Sequence, residues 1–130
     1  MKNNFGVMQG RLLPKYQAKK FDLDCIEFIL DFNDAEENPL LTKNGHLEIL
    51  ELSSETGVAI KTVCADYFME APLHSSNDKT AEKSFKILEK LLEVAKILKI
   101  TDIVIPCVDQ STLNGKEAVD RFIVQMKKII

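Results

Sequence analysis

Residues 103–111 read IVIPCVDQS, a short β-branched run that stops abruptly at an acid, an amide and a hydroxyl. A long amphipathic pattern precedes it and a second one follows. An apolar strand that opens into a polar loop, with helices before and after, is how an α/β protein presents chemistry at the carboxyl end of a strand. Earlier stretches of the chain repeat the same unit.

Immediately upstream, Phe85, Leu88, Leu91, Leu92, Ala95 and Leu98 recur at helical spacing within residues 80–99, with lysines on the other side. That predicts a helix, with Asn77, Asp78 or Thr80 as its cap. Downstream, Gly115 opens a last helix whose apolar face carries Ala118, Val119, Phe122, Ile123, Met126 and Ile130. Residues 58–66 (VAIKTVCAD) predict a third strand that runs into a long polar and aromatic loop at 65–78. Residues 25–30 (CIEFIL) predict a second strand. Its alternation puts Ile26, Phe28 and Leu30 on one face and Cys25, Glu27, Ile29 and Asp31 on the other.

Between these two strands, residues 31–44 form an acidic loop containing Pro39; Asp34, Glu36 and Glu37 lack EF-hand spacing and read as solvated. Gly45 then leads into residues 46–56, where Leu47, Leu50 and Leu52 suggest a short helix that ends at Gly57. Residues 4–10 are the expected first strand, and 11–17 are loop because Pro14 has no amide hydrogen. The order β, loop, β, α, β, α, β, α argues for a parallel sheet with helical crossovers. One join departs from it. About 14 residues separate the first two strands, where a parallel crossover needs a dozen or more and normally a helix. Lys19, Lys20 and Phe21 look like the last turn of a helix whose body is missing.

With 130 residues, 45% apolar and 28% charged, the chain reads as one globular domain able to bury a core. A net charge of −3 gives no electrostatic reason to expect nucleic acid or an anionic membrane as partner. No apolar run approaches the roughly 20 residues of a membrane span, and the first residues lack a secretory pattern, so a cytoplasmic location is expected. Cys25, Cys64 and Cys107 each sit in an apolar run without metal-ligand spacing and read as reduced, buried thiols.

Four segments in order, GVMQGRLLPKYQ (6–17), DCIEFILDFNDAEENPLLT (24–42), VCADYFMEAPLH (63–74) and DIVIPCVDQSTL (102–113), resemble the sugar phosphate isomerase/epimerase family, the xylose-isomerase-like TIM barrels. The resemblance implies a (β/α)8 barrel of which this chain spans the first half: a truncated domain over 1–130 with about four parallel strands and three helices, the first helix largely missing between Ala18 and Lys19. In such enzymes a divalent metal (manganese, magnesium or cobalt) polarises a sugar carbonyl while acids move a proton through an enediolate. The family's metal ligands, two glutamates, an aspartate and a histidine, come from later strands with no counterpart here. The resemblance therefore implies no catalytic residue and no bound metal in this chain.

By the same resemblance, Gln9, Arg11, Glu27, Asp66, His74, Asp109 and Gln110 lie at strand ends and are the candidates to line a site for a small sugar or sugar phosphate. Each has a plainer alternative: Glu27 in a structural network, Asp66 bracing its own loop, His74 on the surface, Asp109 and Gln110 satisfying a turn, and Arg11 solvated rather than meeting a phosphate. Two functional expectations follow. One is an isomerase or epimerase of the barrel family, inactive as this chain alone. The other is a non-catalytic half-barrel, stable within a longer chain or as a homodimer that covers its open edges.

Overall fold

In the computed structural model, residues 8–9, 17–33 and 35–130 are described. Most of the expected first strand, the loop around Pro14, Arg11 and Asp34 lie outside them. Strands β2 (Cys25–Ile29), β3 (Ala59–Cys64) and β4 (Asp102–Val104) form a parallel sheet, and the two residues of β1 (Met8–Gln9) extend it beside β2. The sheet order is sequential, β1-β2-β3-β4, and every neighbouring pair is parallel. The chain is thus α/β, with helical segments α1 (Gln17–Lys20), α2 (Lys43–Thr56), α3 (Tyr67–Glu70), α4 (Asp78–Leu98) and α5 (Gly115–Met126). Among the described residues no helix is long and apolar enough to cross a membrane.

One sheet face is the core. Phe28 and Leu30, with Ile60, Val63 and Ala65, pack against Ile49 of α2 and Leu88, Leu91, Val94 and Leu98 of α4. The opposite face presents Glu27, Ile29, Thr62 and Cys64, all half-buried, and Val104, which is exposed. A β-bulge decides which residues of β3 belong to which face. Ile26 pairs with Ile60 but Glu27 pairs with Thr62, so Lys61 is an extra residue in β3. Were Lys61 paired regularly, strict alternation from Ile60 would bury Thr62 and Cys64; with the bulge, Val63 and Ala65 enter the core instead. Lys61 also turns its carbonyl to the backbone N–H of Thr101 (2.9 Å), which leads into β4.

The helices follow from their caps. Asn77 accepts from the Thr80 amide at 3.2 Å to start α4, and Lys99, at φ 58°, closes it in the left-handed region. Its buried stripe is Ala81, Ser84, Leu88, Leu91, Val94 and Leu98. Val94 replaces Ala95 and Phe85 of the expected stripe, both of which are only half-buried. The hydroxyl of Ser84 is fully buried and donates to the Ala71 carbonyl at 2.8 Å, so a polar residue fits within the apolar seam.

Thr42 caps α2 by accepting from the Gly45 amide at 3.1 Å, and Gly57 ends it at φ 72° as expected. The helix face differs from the leucine pattern. Ile49 and Gly45 are buried, while Leu47 and Leu50 are exposed. A Cβ at Gly45 would overlap the carbonyl oxygen of Pro39, so glycine is what lets α2 approach the preceding loop. That loop is not simply solvated: Ala35, Asn38 and Leu40 are buried. Asn38 donates to the Ile29 carbonyl (3.0 Å) and accepts from the Leu40 amide (3.0 Å).

The fourth strand is shorter than expected. Residues 103–108 read as strand, but β4 stops at Val104. Pro106 has no N–H to continue a ladder, and the chain turns into a 3₁₀ segment at Asp109–Ser111. Ser111 is fully buried; its hydroxyl lies 3.0 Å from the Pro106 carbonyl and 2.8 Å from the Val108 carbonyl, and accepts from the Val108 amide at 3.1 Å. The hydroxyl that ends the opening stretch therefore holds the turn together.

Candidate functional site

At the carboxyl end of the sheet, the bulge leaves Cys64 on the open face, and alternation brings Asp66 to the same side two residues on. The Cys64 thiol donates to Asp66 Oδ1 at 3.1 Å. Burial raises the thiol pKa first, followed by the hydrogen bond and charge of Asp66 and then the charge of Glu27, from an ordinary 9.0 to about 12. Cys64 therefore stays protonated at neutral pH. It is a hydrogen-bond donor that orients a carboxylate and not a nucleophile. Burial likewise raises the pKa of Cys107.

Glu27 comes from the middle of β2 and its charge reaches Cys64, so Glu27, Cys64 and Asp66 form one group on the open face. The loops after β3 and β4 are tied at the same end by Gln110, whose amide donates to Glu70 Oε1 at 2.5 Å. Glu27 on the open face of β2, with Asp66, Glu70 and Gln110 in the loops beyond the strand ends, supplies three carboxylates and one side-chain amide, a set rich in hydrogen-bond acceptors. Such a set suits the hydroxyls of a polyol, each of which has a proton to donate. Among the described residues, no group of three or more histidine, cysteine, aspartate or glutamate side chains is arranged to hold a metal ion.

The other candidates lie elsewhere. Gln9 stands opposite Phe28 on β1. Arg11 is outside the described residues. Asp109 is exposed at φ 49°, a conformation that aspartate tolerates better than most residues; its carbonyl accepts from Thr112 N (3.2 Å) and Oγ1 (2.7 Å). His74 is 7% exposed, beneath α5: its ring is edge-on to Phe122, and its carbonyl accepts from Arg121 Nε at 2.8 Å. Burial and the Arg121 charge hold its pKa below the ordinary value, against the opposing effect of a hydrogen bond to the Thr112 backbone. His74 thus clamps the β3–α4 loop to α5 rather than joining the acidic group.

Cys64 and Glu70 are the members of the group that the sequence did not single out. Their signal was positional: Cys64 sits two residues before Asp66 in a strand, and Glu70 one helical turn after it. No protein-family model matches the chain, and no curated protein matches it.

Proposed function

We propose that this chain is the first half of a (β/α)8 barrel of the xylose-isomerase-like sugar phosphate isomerase/epimerase type, and that its strand-end face holds the hydroxyls of a sugar without turning it over alone. The observation that supports this reading is the sequential parallel sheet, with Glu27 on its open face and Asp66, Glu70 and Gln110 in the loops after its strands. Barrel sheets run in sequence order, whereas doubly wound sheets reverse direction at a switch point. In this reading Asp66, oriented by the Cys64 thiol, and Glu27 accept from adjacent sugar hydroxyls, and Gln110 fixes the far wall. The same carboxylates repel phosphate, so they serve the polyol end of a sugar phosphate, and Arg11 is the candidate for its anionic end.

The test is calorimetric titration with ketopentoses, ketohexoses and their phosphates. Binding weakened about tenfold by Asp66→Asn or Glu27→Gln is expected for the loss of a charged acceptor. Undiminished binding in both variants would reject the site. Steady turnover of these sugars by the isolated chain with manganese, abolished by chelation, would reject the inactive reading.

A second reading, self-association of a non-catalytic half-barrel, is favoured by the outer side of β4. That strand has a sheet neighbour on one side, Asp102 and Val104 are exposed on it, and Ile123 and Val124 of α5 are exposed as well. A strictly monomeric mass at micromolar concentration would remove it.

A further inference from the structure

We propose that α5 is a self-pairing surface: two copies of this chain associate with their α5 helices antiparallel, about a two-fold axis that crosses each helix between Ile123 and Val124. The proposal rests on the self-association reading above and gives it one surface and one geometry.

The direction in which α5 faces follows from its anchors. Ala118 is buried, and Phe122 packs on the core. Arg121 donates from Nε to the His74 carbonyl at 2.8 Å, and the Lys128 ammonium lies 5.2 Å from the ring centre of Phe85 on α4. These contacts hold one flank of α5 against α4 and the loop before it. Val119 and Ile123 each stand two residues from Arg121, about 200° round the helix from it, so they face away from α4. Because β4 is the last strand in the sheet order, that side of α5 is also the side of the free strand edge. Val119 is 37% and Ile123 43% exposed, and the half-buried Met126 continues their line. The helix thus carries two apolar lines, one on its own core and one facing outward.

The charges beside the outward line specify what covers it. Asp120 and Lys127 are both exposed and stand about two turns apart, so they share one flank of that line. Neither forms an ion pair with a described residue, although Glu117 and Arg121 of the same helix approach to 4.0 Å. They are also equidistant from the point between Ile123 and Val124. Half a turn of a second copy about that point keeps the flank on the same side. It sets Asp120 of each copy level with the partner's Lys127, which makes two oppositely charged pairs at once. The two Ile123 side chains then meet at the axis, Val119 packs beside the partner's Met126, and the free edges of both β4 strands turn toward the axis. A parallel arrangement would instead set Asp120 on Asp120 and Lys127 on Lys127. The charge order of α5 is complementary to its own reverse, and a second copy of the chain is the partner that fits it.

The test is sedimentation equilibrium of the full chain and its variants at micromolar concentration, with far-UV circular dichroism to confirm folding. The parent should be a dimer. Ile123→Glu places a charge on the axis and should raise the dissociation constant at least about a hundredfold with the helical signal kept. Asp120→Lys and Lys127→Asp should each raise it about tenfold, the size expected when two exposed pairs become repulsive. Combining the two reverses both charges and should restore the parent value, which a general loss of stability would not do. If Ile123→Glu fails to fold, the charge reversals decide alone. A strictly monomeric parent would assign the outward line to a different partner and overturn the proposal together with the self-association reading. A dimer that persists in folded Ile123→Glu, or that the combined reversal leaves as weak as the single variants, would overturn the α5 interface while association through another surface stands.

Discussion

Replacing Asp66 with asparagine is the most direct probe of the strand-end group, because it removes a charge and keeps the shape. In the parent chain the Cys64 thiol is pushed from 9.0 to about 12, which means roughly a thousandfold less thiolate than an unperturbed cysteine below pH 9. Burial is the largest cause and survives the substitution, as does the charge of Glu27. Asparagine can still accept the S–H. The substitution therefore releases only the part of the effect that comes from the Asp66 charge. Alkylation of Cys64 at pH 8 should accelerate by about tenfold, the factor that one pH unit represents, while its titration midpoint remains above 9. Iodoacetamide labelling across pH 7–10, with Cys64 followed by peptide mass spectrometry and Cys25 and Cys107 as internal references, measures this. An unchanged rate would mean that the 3.1 Å thiol–carboxylate contact is not made. A midpoint that fell all the way to 9 would mean that burial contributes nothing.

Four further outcomes are expected. Leu91 is fully buried, and Leu91→Ala should cost about 3–5 kcal/mol in chemical denaturation, the range for a leucine removed from a close-packed core. Gly45→Ala and Gly57→Ala should both destabilise for different reasons: the first through overlap with Pro39, by about 1–3 kcal/mol, the second through its φ of 72° alone, by about 1–2 kcal/mol. The Pro39 atoms that a Cβ at residue 45 meets are backbone, so trimming the side chain at 39 should not rescue the Gly45 variant. His74 is held neutral in the fold, so the unfolded chain takes up a proton more readily. Stability should be full above the ordinary histidine value of about 6.5 and fall as pH drops below it, and denaturation midpoints at pH 7.5 and 5.5 should lose this difference in His74→Gln.

Where one periodicity dominated, the residues announced their structure. Residues 25–30 alternate cleanly, and Phe28 and Leu30 are both fully buried on the predicted face. The stripe of α4 was legible because Leu88, Leu91 and Leu98 are large and regularly spaced. The α2 face was not, because one of its two buried positions is a glycine, which carries no hydrophobic signal and is needed for a backbone approach that only the folded chain creates. Pro106 marked the end of β4 locally, but the β-branched residues around it masked the stop. The acidic group at the strand ends was half visible: Glu27 and Asp66 were candidates, whereas their link through Cys64 depends on a register that no local pattern encodes. His74 could not be separated from a site residue, since its partner Arg121 lies 47 positions away.

The extra residue at Lys61 sets the phase of β3. Everything downstream in that strand, with Asp66 after it, takes its inside-or-outside assignment from that bulge. A slip that closed the bulge and paired Lys61 with Glu27 would change no residue, yet it would turn Thr62 and Cys64 inward and Val63 outward. The molecule would lose a fully buried valine from its centre and its thiol–carboxylate pair from its surface in a single event. The polar end of this sheet is therefore specified by register as well as by composition, and that register has to be kept for Glu27, Cys64 and Asp66 to meet.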